Sequence, residues 1–293
     1  MNTPVSKALL VGLPAMVAVA LAASQLLPAR AQSIAVADLA NETHIHGLAV
    51  DRQDASYLLI ATHHGLFRAG QDGTAERISV VQDFMGFNSH PSDPDTLYAS
   101  GHPASGGNLG FIASTDRGRT WEQVSPGMDG PVDFHQMTVS PVDPQTIYGA
   151  YGALQASRDA GKTWEVVGPP PDKLIDLAAS AKDADTLYAA TEGGLLVSRA
   201  GGAGWESIIE GAPVTMIEVA PAGTIYAFVF GRGLIRAAED KLDLQVVSSD
   251  WGERFLLHLA IDPGNSERLF GATQEGHVLT STDGGRSWAP FGG

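Results

Sequence analysis

An all-β fold, a β-propeller of six four-stranded blades, is predicted by three features of this sequence. Six units can be laid under one another, starting near His44, Phe84, Phe134, Leu174, Val214 and Phe255. Their period of about 40 residues fits four short antiparallel strands with their turns. A second strand of related text recurs in each unit: Tyr57-Leu-Leu-Ile60, Leu97-Tyr98-Ala99, Ile147-Tyr148-Gly149, Leu187-Tyr188-Ala189, Ile225-Tyr226-Ala227 and Leu269-Phe270-Gly271. The third feature is a turn pattern, S-x-D-x-G-x-[ST]-W, at Ser114 to Trp121, Ser157 to Trp164 and Ser281 to Trp288. A degraded copy runs from Ser198 to Trp205 with Ala200 in place of Asp.

Within a unit, an apolar inner strand leads through an Asp- and Pro-rich turn into the second strand, and the patterned turn joins the third strand to the fourth. In that turn Asp116, Asp159 and Asp283 are placed to accept backbone N–H bonds. The Gly takes a conformation closed to residues with a Cβ, and Trp121, Trp164 and Trp288 drop into the next layer as apolar anchors. No blade can bury both of its faces alone, so residues 44–293 are expected to form one cooperative ring.

Ahead of the ring, Lys7 precedes an apolar run from Ala8 to Leu27, and Ala29-Arg-Ala31 supplies a small-x-small cleavage site. Residues 1–31 therefore read as a signal peptide and 32–43 as a lead-in, with the mature protein periplasmic or secreted and without a stable membrane span. The net charge of −15 argues against nucleic acid and anionic membrane surfaces as partners. The absence of cysteine excludes disulfides and thiolate metal sites.

Propeller topology places the patterned turns and the Asp-Pro turns on one face. The loops between second and third strands, and the connections leading into each inner strand, lie on the other. That second face collects His44, His46, His63, His64, Asp83, Met85, His102, Asp133 and His135 from three consecutive blades, while His90, His258 and His277 read as structural. Alignment of the inner strands sets His46, Met85, His135, Ile175, Thr215 and Leu257 at equivalent positions around the channel. Imidazoles with a thioether suit a soft ion, so His44, His46, Met85 and His135 are candidate ligands for copper, with zinc second. His63, His64, His102 and Arg232 are candidates for binding a small molecule, glycan or protein on the same face. Asp133, Asp176 and Glu192 are candidate acid and base residues, since a pair of carboxylates can act on a glycosidic bond.

The turn pattern resembles that of the Asp-box, or bacterial neuraminidase repeat, propellers, a superfamily that includes sialidases, sortilin-type receptors and photosystem II assembly factors. The segments His44-Ile-His-Gly-Leu-Ala-Val50, Ala61-Thr-His-His-Gly-Leu-Phe67, Asp83-Phe-Met-Gly-Phe87 and Ser100-Gly-His-Pro103 also resemble exported bacterial proteins classed with the glycosyl hydrolases. The resemblance implies a propeller over nearly the whole mature chain, serving either as a binding protein or as a sialidase-like hydrolase. A sialidase requires three clamping arginines, a Tyr nucleophile paired with Glu, and an Asp acid. Here His44 and His46 stand where the first arginine belongs, only Arg232 and Arg254 map to the right face, and Tyr151 and Glu192 lie in different blades.

Protein recovered from an exporting host should begin at Gln32, as read by N-terminal sequencing; retention of Met1 would contradict the cleavage site. The missing clamp predicts no turnover of an aryl sialoside, and turnover abolished by Arg232→Ala would reverse that reading.

Overall fold

A computed structural model describes Met1 and residues 33–293; residues 2–32, which hold nearly all of the segment expected to be a signal peptide, lie outside the described residues. Six antiparallel sheets form a ring, a six-bladed β-propeller whose inner strands are Ile45–Val50, Met85–Ser89, Gln136–Val139, Leu174–Ala179, Val214–Val219 and Leu256–Ile261. Residues ahead of the first inner strand add a fifth strand, Ser33–Ala35, to the outer edge of blade one through Thr74–Arg77. Among the described residues no helix is long and apolar enough to cross a membrane.

Each blade boundary carries its own apolar cluster, which explains the near-continuous hydrophobic text of the inner strands. In blade four, Leu177 and Ala179 pack toward blade three while Ala178, one residue out of phase, packs toward blade five. The ring closes in the same way. Phe270, Val278 and Phe291 of blade six meet Leu48, Val50 and Ile60 of blade one, with Val36 and Leu39 of the N-terminal segment completing the cluster.

Side-chain bonds to backbone reinforce five boundaries near the channel. Asn88 Nδ2 donates to Met137 O at 2.8 Å, Thr138 Oγ1 accepts from Ala179 N at 3.0 Å, and Asp176 Oδ2 accepts from Ile217 N at 2.9 Å. Thr215 Oγ1 donates to Leu256 O at 2.6 Å, and His258 Nε2 donates to Ile45 O at 3.1 Å.

The patterned turns are built by their own side chains. Asp116 Oδ1 accepts N–H bonds from Arg119 and Thr120 at 3.0 and 2.8 Å, and its Oδ2 accepts the Thr120 hydroxyl at 2.7 Å. Gly118 has a φ of +85°, and a Cβ there would stand 2.3 Å from Leu66 of blade one. The layer that receives each Trp belongs to the preceding blade: Trp164 of blade three packs on Phe111 of blade two and on Phe134. Its Nε1 donates to Ser125 Oγ and Gly161 O. In the degraded copy the Trp205 Nε1 is buried without a partner. Within each such blade the turn also donates a backbone N–H to the turn between strands one and two, as from Arg117 to Asp95 O and Ala160 to Gln145 O. Both turn types therefore share one face.

Trp164→Ala should cost about 3–5 kcal/mol through lost burial and a vacated cavity; an unchanged denaturation midpoint would contradict the anchor role. The backbone and hydroxyl bonds from Thr163 hold Asp159 down to about 2, and those from Ser287 do the same for Asp283, below an ordinary value of 3.8. A lowered folded value supports stability above the unfolded value and is lost as pH falls toward the folded one. The protein should therefore lose stability between pH 4 and pH 2, and an Asp159→Asn/Asp283→Asn variant should show a shallower loss in urea melts across that window.

Candidate functional site

The inner strands enclose a central channel of about 570 Å³, into which His46, Met85, His135, Asp176, Glu218 and His258 are set. In blades one, four, five and six the inner strand carries a β-bulge at its start, between Ile45 and Gly47, Leu174 and Asp176, Val214 and Met216, and Leu256 and His258. The extra residues are His46, Ile175, Thr215 and Leu257, four of the six positions that align in sequence. A bulge leaves its extra residue out of the ladder and re-aims its side chain, which is how His46 comes to the blade boundary.

Two groups of imidazole and carboxylate stand on the face opposite the patterned turns. In one, at the boundary of blades one and two, His46 comes from the inner strand of blade one and His63 from its loop between strands two and three. Asp83 comes from the segment leading into blade two. His63 Nδ1 lies 2.9 Å from Asp83 Oδ2, and His46 Nε2 lies 3.7 Å from Asp83 Oδ1. His46 Nε2 and Asp83 Oδ1 are both buried, with no hydrogen-bond partner among the described residues. In the other, His102, Asp133 and His135 sit at the boundary of blades two and three, with both histidine Nε2 atoms 2.8 Å from Asp133 Oδ2.

Burial drives His46 down to about 3, with His63 and other histidines adding repulsion, so its ring is neutral across the physiological range. The hydrogen bond to Asp133 raises His135 above the ordinary imidazole value. Burial takes His258 down to about 4, in keeping with its bond to a backbone carbonyl. On the other side of the channel burial raises Asp176 to about 7, although Leu177 and Ile217 each donate an N–H to it. Burial, reinforced by Asp176, takes Glu218 up to about 8.

Several residues singled out in the sequence stand apart from these groups. His44 is exposed, its ring 5.4 Å from that of His63 and outside both. Met85 is buried in the channel wall, His64 is exposed beyond the loop bond its backbone makes to Thr62, and Arg232 is exposed and forms no ion pair among the described residues. The three carboxylates considered for catalysis have separate engagements. Asp133 holds two histidines, Asp176 bonds two backbone N–H groups, and Glu192 is an exposed partner of Lys173 at 2.5 Å. No hydrogen bond joins any two of them among the described residues. His90 accepts N–H bonds from Ser92 and Asp93 in the turn it opens, and exposed His277 pairs with Glu275.

Sequence reasoning set Asp83 on the histidine face, as the equivalent of Asp133 in the segment leading into the next blade, but did not assign it as a ligand beside His46 and His63. It passed over Glu218, whose signal was that it interrupts an apolar inner strand as Asp176 does.

No protein-family model and no curated protein matches this chain, but solved propellers share its fold. A GH74 xyloglucanase from Xanthomonas campestris is 17% identical over 89% of this chain and 46% of its own, with a TM-score of 0.57. YCF48 bound to D1 peptide is 18% identical over 88% of this chain and 84% of its own, with a TM-score of 0.55. The extracellular domain of BT4673 from B. thetaiotaomicron is 14% identical over 89% and 35%, with a TM-score of 0.59. The chain spans less than half the length of the GH74 enzymes it matches. These likenesses establish the fold, which hosts both enzymes and binding proteins.

The channel carboxylates predict an unusual pH dependence. A raised folded value gives stability that is complete below the unfolded value, near 4.5 for Glu, and is lost as pH rises through about 8. Glu218→Gln should leave stability at pH 4 little changed and raise it relative to the parent at pH 8. Parallel pH profiles in chemical denaturation would show that Glu218 is ionised and solvated in the folded state.

Proposed function

We propose that this protein is an exported binding propeller that holds a divalent transition metal between blades one and two, through His46, His63 and Asp83. There the metal engages a small-molecule, glycan or protein ligand on the histidine face. The observation that carries the reading is the pair of buried atoms without partners, His46 Nε2 and Asp83 Oδ1, facing one another across 3.7 Å beside His63. Leaving buried polar atoms unpaired costs about 1–3 kcal/mol each, and an ion bonded at ~2.0–2.2 Å to N and O ligands fits between them.

The donor set changes the preferred ion. A thioether would favour Cu(I), whereas two imidazoles and a carboxylate suit Zn(II), with Cu(II) second. Burial keeps His46 unprotonated and ready to ligate. The apolar run and small-x-small site at the N-terminus support export, and the acidic composition supports a partner other than nucleic acid. The glycosidase alternative finds less support, because Asp133, Asp176 and Glu192 are each engaged apart from the others.

Calorimetric titration of the metal-free protein with Zn(II) and Cu(II) tests the proposal. Binding tighter than roughly micromolar, worth about 8 kcal/mol, should be lost from this site in His46→Ala and in Asp83→Asn, with folding checked by circular dichroism. If both variants bind as the parent does, or the parent binds neither ion, the reading fails.

A further inference from the structure

The second histidine group differs from the first in how its members are held, and those differences bear on whether it is an internal salt bridge or a ligand set. His102 is fixed at both ring nitrogens: Nδ1 lies 2.9 Å from Gly107 O and Nε2 lies 2.8 Å from Asp133 Oδ2. A carbonyl oxygen only accepts, so Nδ1 carries the proton that is donated to Gly107. In a neutral imidazole that leaves Nε2 with its lone pair aimed toward Asp133, an arrangement that is repulsive toward a carboxylate and suited to a cation between them. A backbone carbonyl on the remote nitrogen is also the usual partner that orients a metal-bound histidine.

Asp133 shows the same mismatch. Its Oδ2 faces the Nε2 atoms of both His102 and His135, while its Oδ1 is buried with no hydrogen-bond partner among the described residues. As an internal ion pair the arrangement leaves Oδ1 desolvated and unbonded, which is costly for a carboxylate. The two Nε2 atoms each lie 2.8 Å from Asp133 Oδ2 and all three ligand atoms lie within 4.8 Å of one another, separations open to ligands bonded at ~2.0–2.2 Å to one ion. The loop that presents His102 is shaped for the purpose. Gly101, Gly106 and Gly107 all have positive φ, and a Cβ on Gly101 would lie 2.4 Å from Asp83 O. Asn108, at the far end of that loop, donates to Pro131 O and Tyr151 Oη, which braces it against blade three.

We infer that His102, Asp133 and His135 form a second divalent transition-metal site, one blade on from the site formed by His46, His63 and Asp83. The two are joined through backbone, because Asp83 N donates to His102 O at 2.9 Å. The loop that delivers a ligand to the second site thus also positions the carboxylate of the first. The inference stands on its own residues and does not require the first site to be occupied.

Co(II), whose d–d absorption reports on coordination, and Zn(II) provide the test by titration of the metal-free full chain. The parent should bind two equivalents. Asp133→Asn should weaken one of them by ~100-fold or more, beyond the effect typical of an outer-shell partner, and leave the other in place. Asp83→Asn should do the reverse, and His102→Ala should behave like Asp133→Asn, with thermal melts confirming that each variant folds. One equivalent that survives Asp83→Asn and disappears in Asp133→Asn would support the second site while rejecting the first. One equivalent that is unaffected by Asp133→Asn, or one abolished by either aspartate change, would overturn the second site, the latter outcome pointing to a single shared ion.

Discussion

Everything in this molecule depends on burial that no blade can complete alone. A single four-stranded sheet of this composition would expose apolar side chains on both faces, and here each face is covered by the next blade, with one cluster at each of the six boundaries. The last boundary must be covered too, so the chain has to return to its start. It does so through side-chain packing, with blade six drawing all four of its strands from consecutive sequence. The N-terminal strand then covers an outer edge that would otherwise offer unpaired backbone groups.

Closing a ring around a channel also brings six inner strands together, and their polar groups need partners where water access is limited. Five boundaries meet this need with a side chain bonded to a neighbouring backbone group. The boundary of blades one and two meets it differently. There the backbone bond from Phe84 N to Thr62 O is accompanied by His63 and His46 around Asp83. The candidate site thus occupies the place in the ring where others have a structural bond, and it leaves His46 Nε2 and Asp83 Oδ1 buried and unpaired.

The channel is electrically lopsided as a consequence. Neutral or carboxylate-paired histidines line blades one, three and six, and carboxyl groups of raised affinity for protons line blades four and five. Burial opposes charge on both sides, so the channel carries less charge than its ionisable residues imply. The acidity of the chain as a whole therefore resides chiefly at its outer surface.

Much of this was legible in the residues alone. The repeat of about 40 residues, the recurring second strand and the Asp-Gly-Trp turns encode local bonding and two-sided burial, so they determine the blade, the number of blades and the face on which each loop emerges. Alignment also found the channel positions of His46 and His135, because the inner strand recurs with the repeat. What only the tertiary structure decided is which side chains meet across a boundary: Asp83 rather than Met85 beside His46 and His63, and Asp176 bonded to the backbone of blade five. Such meetings turn on the depth of a bulge and the path of a loop between two blades, quantities of an ångström or less to which the repeat pattern is indifferent.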